Sequence, residues 1–267
     1  MKTYVGLLAW LSLFHAILAQ NLGIRLDGAA SQKQNFLWSS VVELQPNSAR
    51  LSDDDLKVLA AKAHLEMTKD YISLNLGLRG GPPVVMATLA VGQKLYFASS
   101  NRRVYGGGEY YTTGASQDTL NARVIQELFR CELNMDVTLV VNRQGNSGDT
   151  SQHANAGACG EIMAILTWDL DNPGKPVDTL TDTWIVAVTL QKSNGVGTNQ
   201  IVVKAPCSKP PVARGRRTVT YGCSDFLGRL GVNAIIASSE EEVIQDRLVG
   251  ISIDRTYHVS IVCPSPE

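Results

Sequence analysis

The fold of this chain is decided by one stretch, VVMATLAVGQKLYFA at residues 84–98. Two runs of β-forming residues, 84–90 and 94–98, flank the dipeptide Gly92-Gln93. A glycine-containing connection between two such runs is typical of a hairpin with a tight turn. We therefore predict two antiparallel strands here and interpret the rest of the domain around them.

Helices are predicted on both sides of the hairpin. Ser52 and three following aspartates begin the first one, because a serine cap and acidic residues in the first turn complement the helix dipole. Apolar residues at helical spacing extend it to about Tyr71. The same spacing predicts helices at about 118–133 and 158–170, and a short one that opens at Cys223. Short β-rich runs between them predict strands at 137–141, 184–190, 201–204, 218–221, 234–237 and 250–261.

This alternation favours one α/β domain with helices packed on a mixed sheet. Residues 20–50 show no clear hydrophobic period, so we interpret them as an N-terminal extension ahead of a domain at residues 51–267. Of the residues, 44% are hydrophobic and 18% charged, which argues against disorder, collagen and coiled coil. The formal net charge of -1 provides no global attraction to nucleic acid, so such binding would need a local basic patch.

The first residues predict secretion. A basic residue precedes an apolar run from Tyr4 to Leu18, which is short for a membrane span and typical of a signal peptide. The small side chain of Ala19 predicts cleavage before Gln20. We therefore interpret residues 1–19 as a signal peptide and expect the mature protein to be extracellular, without a membrane segment.

The chain has five cysteines, and all of them follow the predicted signal peptide. In an oxidising compartment the default expectation for cysteines is disulfides. Two bridges would leave one thiol over, whereas three metal ligands and one bridge would use all five. The odd number therefore favours a metal site without establishing one. The five are Cys131, Cys159, Cys207, Cys223 and Cys263.

Three of these cysteines stand in a pattern that favours metal chemistry. Cys159 and Cys223 each lie at the predicted start of a helix, and Cys207 follows a predicted strand. A helix start carries a partial positive charge, which lowers the pKa of a thiol and favours the thiolate that zinc binds. Three protein ligands leave a fourth position for water, as in catalytic zinc sites. Glu161, two residues beyond the first ligand, can then move protons without binding the metal.

The same residues carry a resemblance to a known family. The segment Cys159–Ile165, CGEIMAI, resembles the Cys-Ala-Glu helix of nucleoside deaminases. Pro206-Cys207 and the later Cys223 resemble the remaining cysteines of the cytidine deaminase-like superfamily. This resemblance implies a three-layer α/β/α deaminase-like domain with a mixed central sheet and insertions. The predicted secretion signal and the insertions are similar to those of secreted, toxin-type (YwqJ-like) deaminases.

The resemblance also implies an activity and its residues. Cys159, Cys207 and Cys223 would bind zinc, and Glu161 would be the catalytic residue that protonates the ring nitrogen while water displaces the exocyclic amine. The enzyme would be a hydrolase of toxin or effector type, and its substrate a nucleobase in a nucleoside or a nucleic acid. Asn142 and His153 are candidate substrate contacts under this activity, although no family motif marks them. The two cysteines left over by three metal ligands, Cys131 and Cys263, are the candidate disulfide.

The spacing of the last two cysteines departs from the family. The family has two residues between them, whereas fifteen separate Cys207 from Cys223. A loop of that length can return to its origin, because closure entropy rises slowly with length. The alternative is a Cys207–Cys223 disulfide in a non-enzymatic, disulfide-stabilised secreted interaction protein. Arginines in this loop are interpreted either as contacts to the phosphates of a polynucleotide or as a solvated basic turn. They are Arg214, Arg216 and Arg217.

A third hypothesis is a cysteine hydrolase. Under it Cys159 is a nucleophile at a helix start, and His153 or His258 is its general base. Thiol alkylation, and not metal chelation, would then abolish activity. The metalloprotease motif His-Glu-x-x-His is absent from the sequence, so a zinc site built on histidines is not expected.

Overall fold

A computed structural model describes most of the predicted domain. It covers residues 21–28, 35–46, 48, 51–78, 81–103, 152–153, 158–192, 199–208, 219–237 and 251–259. Several predictions fall outside these ranges and keep the status of predictions. They are the signal peptide at 1–19, the helix at 118–133, the strand at 137–141, Asn142, Cys131, Cys263, Arg214, Arg216 and Arg217.

The described residues form a mixed sheet of eight strands and two separate pairs of short strands. In chain order the strands are β1 (Arg25–Leu26), β2 (Asn35–Phe36), β3 (Trp38–Leu44), β4 (Val85–Val91), β5 (Lys94–Ser99), β6 (Arg102–Arg103), β7 (Gln152–His153), β8 (Trp184–Lys192), β9 (Asn199–Val203), β10 (Val219–Tyr221), β11 (Asn233–Ile235) and β12 (Ile253–Tyr257). The sheet runs β1-β3-β5-β4-β8-β11, with β12 beside β3 and β9 beside β8. Its neighbours are antiparallel except for β8 and β11, which are parallel. The α/β class predicted from the sequence is therefore confirmed.

The predicted hairpin is confirmed as β4 and β5. Val91 pairs with Lys94, so Gly92 and Gln93 alone make the turn. Gly92 has a φ of +59°, in the left-handed region that two-residue hairpin turns require and that glycine adopts without steric cost. This hairpin supplies the two strands at the centre of the sheet.

Three α-helices occur among the described residues: α1 (Asp53–Leu74), α2 (Gly160–Asp171) and α3 (Cys223–Leu230). Ser52 caps α1 as predicted, because its side chain accepts the Asp55 N–H while the Asp55 carboxylate accepts the Ser52 N–H. Gly231 ends α3 with a φ of +69°. In this part of the chain no helix combines the length and the apolarity that a membrane crossing requires.

The buried hydrophobic side chains of the described residues gather in two clusters. Ala87 and Leu89 of β4 belong to the cluster that holds the apolar side chains of α2 and α3. Met86, the residue before Ala87, belongs to the cluster that holds those of α1, and Ala90 packs against that cluster. Successive residues of a strand point to opposite faces, so β4 contributes alternate side chains to the two clusters.

Strand β3 lies within residues 20–50, where no element was predicted. Six of its seven residues are buried, and it pairs with β5 on one side and with β1 and β12 on the other. A strand covered on both faces shows no polar alternation, and two buried serines interrupt its apolar run. Ser40 Oγ donates to the Leu22 carbonyl at 2.6 Å. The N-terminal segment therefore belongs to the sheet, and its lack of period reflects burial on both sides.

Candidate metal centre

The start of α2 lies directly on the central hairpin. Cys159 is its N-cap, and Gly160 is the first helical residue. A Cβ at Gly160 would lie 3.3 Å from the Cβ of Ala87 and 3.3 Å from the carbonyl oxygen of Ala98, so glycine permits this close approach. The hairpin therefore sets the position of Cys159.

The second part of the site is the contact between Cys207 and the start of α3. The Cys223 N–H donates to the Cys207 Sγ at 3.1 Å, and the Ser224 N–H donates to the Cys207 carbonyl at 3.0 Å. The Ser224 hydroxyl is 3.3 Å from the same oxygen. The first N–H groups of a helix have no partner within the helix, so Cys207 satisfies two of them.

The three predicted ligand cysteines come together in the structure. The sulfurs of Cys159, Cys207 and Cys223 all lie within 4.8 Å of one another, and those of Cys159 and Cys207 are 3.6 Å apart. None of the three is in a disulfide, so the alternative Cys207–Cys223 bridge is not present. Zinc with bonds of about 2.3 Å to tetrahedral thiolates separates their sulfurs by about 3.8 Å, which this geometry fits. The cluster is therefore compatible with a metal such as zinc.

The pKa values of the Cys159 and Cys223 thiols are raised, whereas the sequence analysis expected the helix starts to lower them. Hydrogen bonding to Cys207 and burial raise the pKa of the Cys159 thiol well above its usual range. Burial is the largest cause of the raised pKa of the Cys223 thiol. At Cys159 the hydrogen bond with Cys207, together with burial, outweighs the helix dipole, and at Cys223 burial of the thiolate does so. A bound cation would reverse this balance, because coordination deprotonates a thiol.

Glu161 lies in the first turn of α2, beside the sulfurs, and only 4% of it is exposed. The pKa of this carboxyl is raised to about 7; burial is the largest cause, and the nearby Cys207 acts in the same direction. A hydrogen bond with Cys223 and the charge of Lys204 act in the opposite direction. A carboxyl with a pKa near neutrality can both accept and release a proton, which is the property of a general acid–base.

Asn101 is a buried polar residue beside the start of α2 that the sequence analysis did not select. It follows β5, is 5% exposed, and its N–H donates to the Ala158 carbonyl at 3.0 Å, next to Cys159. An asparagine that follows a predicted strand is a signal that the sequence alone could have offered, whereas its burial is visible only in the structure. The prediction instead took Asn142, which lies outside the described residues.

His153 and His258, the two candidate histidines of the sequence analysis, lie in different parts of the fold. The backbone of His153 forms β7, which pairs in parallel with β10, opposite Tyr221. This segment therefore lies beside the strand that leads into α3. His258 Nδ1 is 3.3 Å from Ser39 Oγ, and its Nε2 faces Asp27 at 3.9 Å. His258 thus contacts Ser39 of β3 and Asp27 of the N-terminal segment.

Comparison with known proteins does not assign this chain to a family. No protein-family model matches it, and neither a curated protein nor a solved structure does. The chemistry of the site therefore stands on its own residues: three sulfurs in metal-binding geometry and one buried carboxyl beside them.

Proposed function

We propose that this protein is a secreted, zinc-dependent hydrolase that removes the exocyclic amine of a nucleobase. One observation carries the proposal: three cysteine sulfurs from two helix starts and a loop lie within 4.8 Å of one another, with buried Glu161 two residues from the first. Three ligands of this kind leave a coordination position for water. The Cys-x-Glu pattern at the start of a helix is what the site has in common with the cytidine deaminase-like superfamily.

The three-layer deaminase-like arrangement of the domain belongs to the same proposal. It is supported by the alternation of β4 side chains between a cluster with α1 and a cluster with α2 and α3. It is supported also by the order of elements, because the hairpin precedes α2 and β8 precedes α3. The toxin or effector role rests on the predicted signal peptide and insertions alone.

Glu161 would perform the proton transfers of the reaction. Zinc, when bound by Cys159, Cys207 and Cys223, would supply a water that is activated at neutral pH. The Glu161 carboxylate would take a proton from this water and deliver it to the ring nitrogen of the base. A second transfer through Glu161 would protonate the departing amine. The balance is one water consumed, a carbonyl formed on the base, and one ammonia released.

Metal content and ammonia release test the proposal together. We expect about one zinc per purified chain. We also expect ammonia release from cytidine, adenosine or short single-stranded oligonucleotides, with loss of both metal and activity after chelation and return of both with zinc. Cys207→Ser tests the ligand assignment, since it should lose both properties while keeping its fold by circular dichroism.

The other outcomes identify the competing hypotheses. Activity that resists chelation and is abolished by alkylation of Cys159 would favour a cysteine hydrolase over the deaminase. A metal-free protein with a Cys207–Cys223 disulfide would favour the non-enzymatic interaction protein. Bound zinc without ammonia release from any of the three substrate classes would contradict the proposed reaction and leave only the metal site.

A further inference from the structure

We propose that Gly222 is a positioning residue of the metal centre, which holds Cys207 on the start of α3. The inference rests on the metal site of the proposed function. It addresses the feature in which the chain departs from the family, namely the fifteen residues that separate Cys207 from Cys223. A close backbone contact at Gly222 would hold Cys207 near Cys223, as the two-residue spacing does in the family that the chain resembles.

Residue 222 has no room for a side chain. A Cβ at this position would lie 2.7 Å from the carbonyl carbon of Cys207 and 2.9 Å from the Cα of Ser208, and closer still to the Cys207 carbonyl oxygen. All three are backbone atoms, which cannot rotate away as the end of a flexible side chain can. The conformation of Gly222, with a φ of -132°, is extended and open to every residue. The requirement for glycine therefore comes from the close approach and not from the dihedral angles.

This approach is what allows α3 to hold Cys207 at two points. The donors are the N–H groups of Cys223 and Ser224, the first two residues of the helix after its cap. One donates to the sulfur at 3.1 Å and the other to the carbonyl oxygen at 3.0 Å. Both the ligand atom and the backbone that carries it are thereby fixed relative to Cys223, whatever the loop between them does.

A methyl group at residue 222 would separate residues 207–208 from the helix. The shift needed to reach ordinary van der Waals distance is about 1 Å, whereas metal–ligand distances tolerate about 0.2 Å. Cys207 would then leave the sulfur cluster, while Cys159 and Cys223 would stay, since α2 and α3 carry them. Gly222→Ala should therefore remove one ligand and keep the fold.

Gly228 provides a matched control in the same helix. A Cβ at Gly228 would meet nothing within 4 Å, so Gly228→Ala adds the same methyl group without a contact. We would strip metal from the full chain of the wild type and of both variants, and titrate zinc back against a colorimetric chelator. Gly222→Ala should bind zinc about 100-fold more weakly than the wild type, and Gly228→Ala should match the wild type. Apo-protein circular dichroism and thermal unfolding would show that all three chains fold.

The outcomes separate the inference from the proposed function. If the wild type binds zinc and Gly222→Ala binds it with the same affinity, the positioning role is wrong and the metal site stands. If the wild type binds no zinc, both the positioning role and the proposed function fail.

Hydrogen exchange in the zinc-loaded wild type tests the positioning role if Gly222→Ala does not fold. The Cys223 and Ser224 amides should be protected, although the first amides of a helix usually exchange fast. Exchange at the rate of an unstructured amide would overturn the inference.

Discussion

The N–H of Cys223 donates a hydrogen bond to the Sγ of Cys207 across 3.1 Å, although fifteen residues separate the two. The segment between Cys207 and Cys223 therefore begins and ends at neighbouring positions in the fold. The entropy cost of closing it is little more than that of a short loop, because this cost grows with the logarithm of loop length. The start of α3 contributes a donor and a partial positive charge to a sulfur that is part of a candidate metal centre. The start of α3 thus brings two candidate ligands, Cys207 and Cys223, into contact.

Substitution of Glu161 by glutamine should abolish turnover and leave the metal in place. Glutamine keeps the shape of the side chain but cannot take up and release a proton, so the rate should fall by about 10²–10⁴-fold. Ammonia release and zinc content of the same preparation check both parts. Asp53, an acidic residue in the first turn of α1, is the control, and Asp53→Asn should keep activity. If Glu161 acts only as a favourable charge at a helix start, Glu161→Gln will be active and destabilised by about 0.5 kcal/mol.

Metal binding should stabilise the folded chain. A ligand that binds only the folded state adds about 2.7 kcal/mol to the free energy of unfolding when its free concentration is 100 times its Kd. Urea unfolding of the apo-protein with and without zinc measures the difference. Cys207→Ala serves as the control, because loss of one of three ligands should remove most of this gain. Equal stabilisation of the wild type and of this variant would mean that zinc acts elsewhere.

Asp171 should be a main anchor between α2 and the last strand. Its carboxylate accepts from Tyr96 and Lys94 of β5 at 2.9 Å each, and from Tyr257 of β12 at 2.9 Å. Asp171→Ala would leave the Tyr96 and Tyr257 hydroxyls without this acceptor, while Lys94 would still donate to the Tyr257 oxygen at 2.7 Å. We therefore expect a loss of about 2 kcal/mol in the free energy of unfolding. Asp54→Ala, at an exposed position of α1, should cost less than about 0.5 kcal/mol. Equal costs in urea unfolding would contradict this role.

His64 should make the fold less stable in acid. It is 2% exposed, its Nε2 lies 3.2 Å from the Val84 carbonyl, and its Nδ1 has no hydrogen-bond partner among the described residues. Burial therefore lowers the pKa of His64 below its usual 6.5. As the pH falls, His64 therefore takes up a proton in the unfolded chain at a higher pH than in the folded chain. The stability that neutral His64 contributes is fully present above about pH 6.5. It is lost as the pH falls through the folded-state pKa, by at most about 1.4 kcal/mol per pH unit.

A glutamine at position 64 tests this pH dependence. His64→Gln keeps an N–H for the Val84 carbonyl and has no titrating group, so the free energy of unfolding should vary less between pH 7 and pH 5. Some variation should remain, because burial also lowers the pKa of His258. An unchanged slope in urea unfolding at these two pH values would exclude His64 as its source.

Much of the local structure could be predicted because it depends on neighbours within a few residues. The Ser52 cap, the turn at Gly92 and the helix that opens at Cys223 each follow from side chains adjacent in the chain. The identity of the ligands could be proposed on the same basis, because Cys159 and Cys223 stand at helix starts. Strand β3 could not be predicted, because burial on both faces removes the alternation of polar and apolar residues by which strands are recognised.

The tertiary structure decided whether these residues form a site at all. Cys159 and Cys207 are 48 positions apart, and only the sheet and the packing of α2 and α3 set the distance between their sulfurs. The hydrogen bond with Cys207 and burial raise the pKa of the Cys159 thiol, and burial raises the pKa of the Cys223 thiol and of the Glu161 carboxyl. For the two thiols this reverses the effect expected from helix starts alone, and no local sequence pattern indicates it. Desolvation depends on everything that surrounds a group, and its surroundings are assembled from the whole chain.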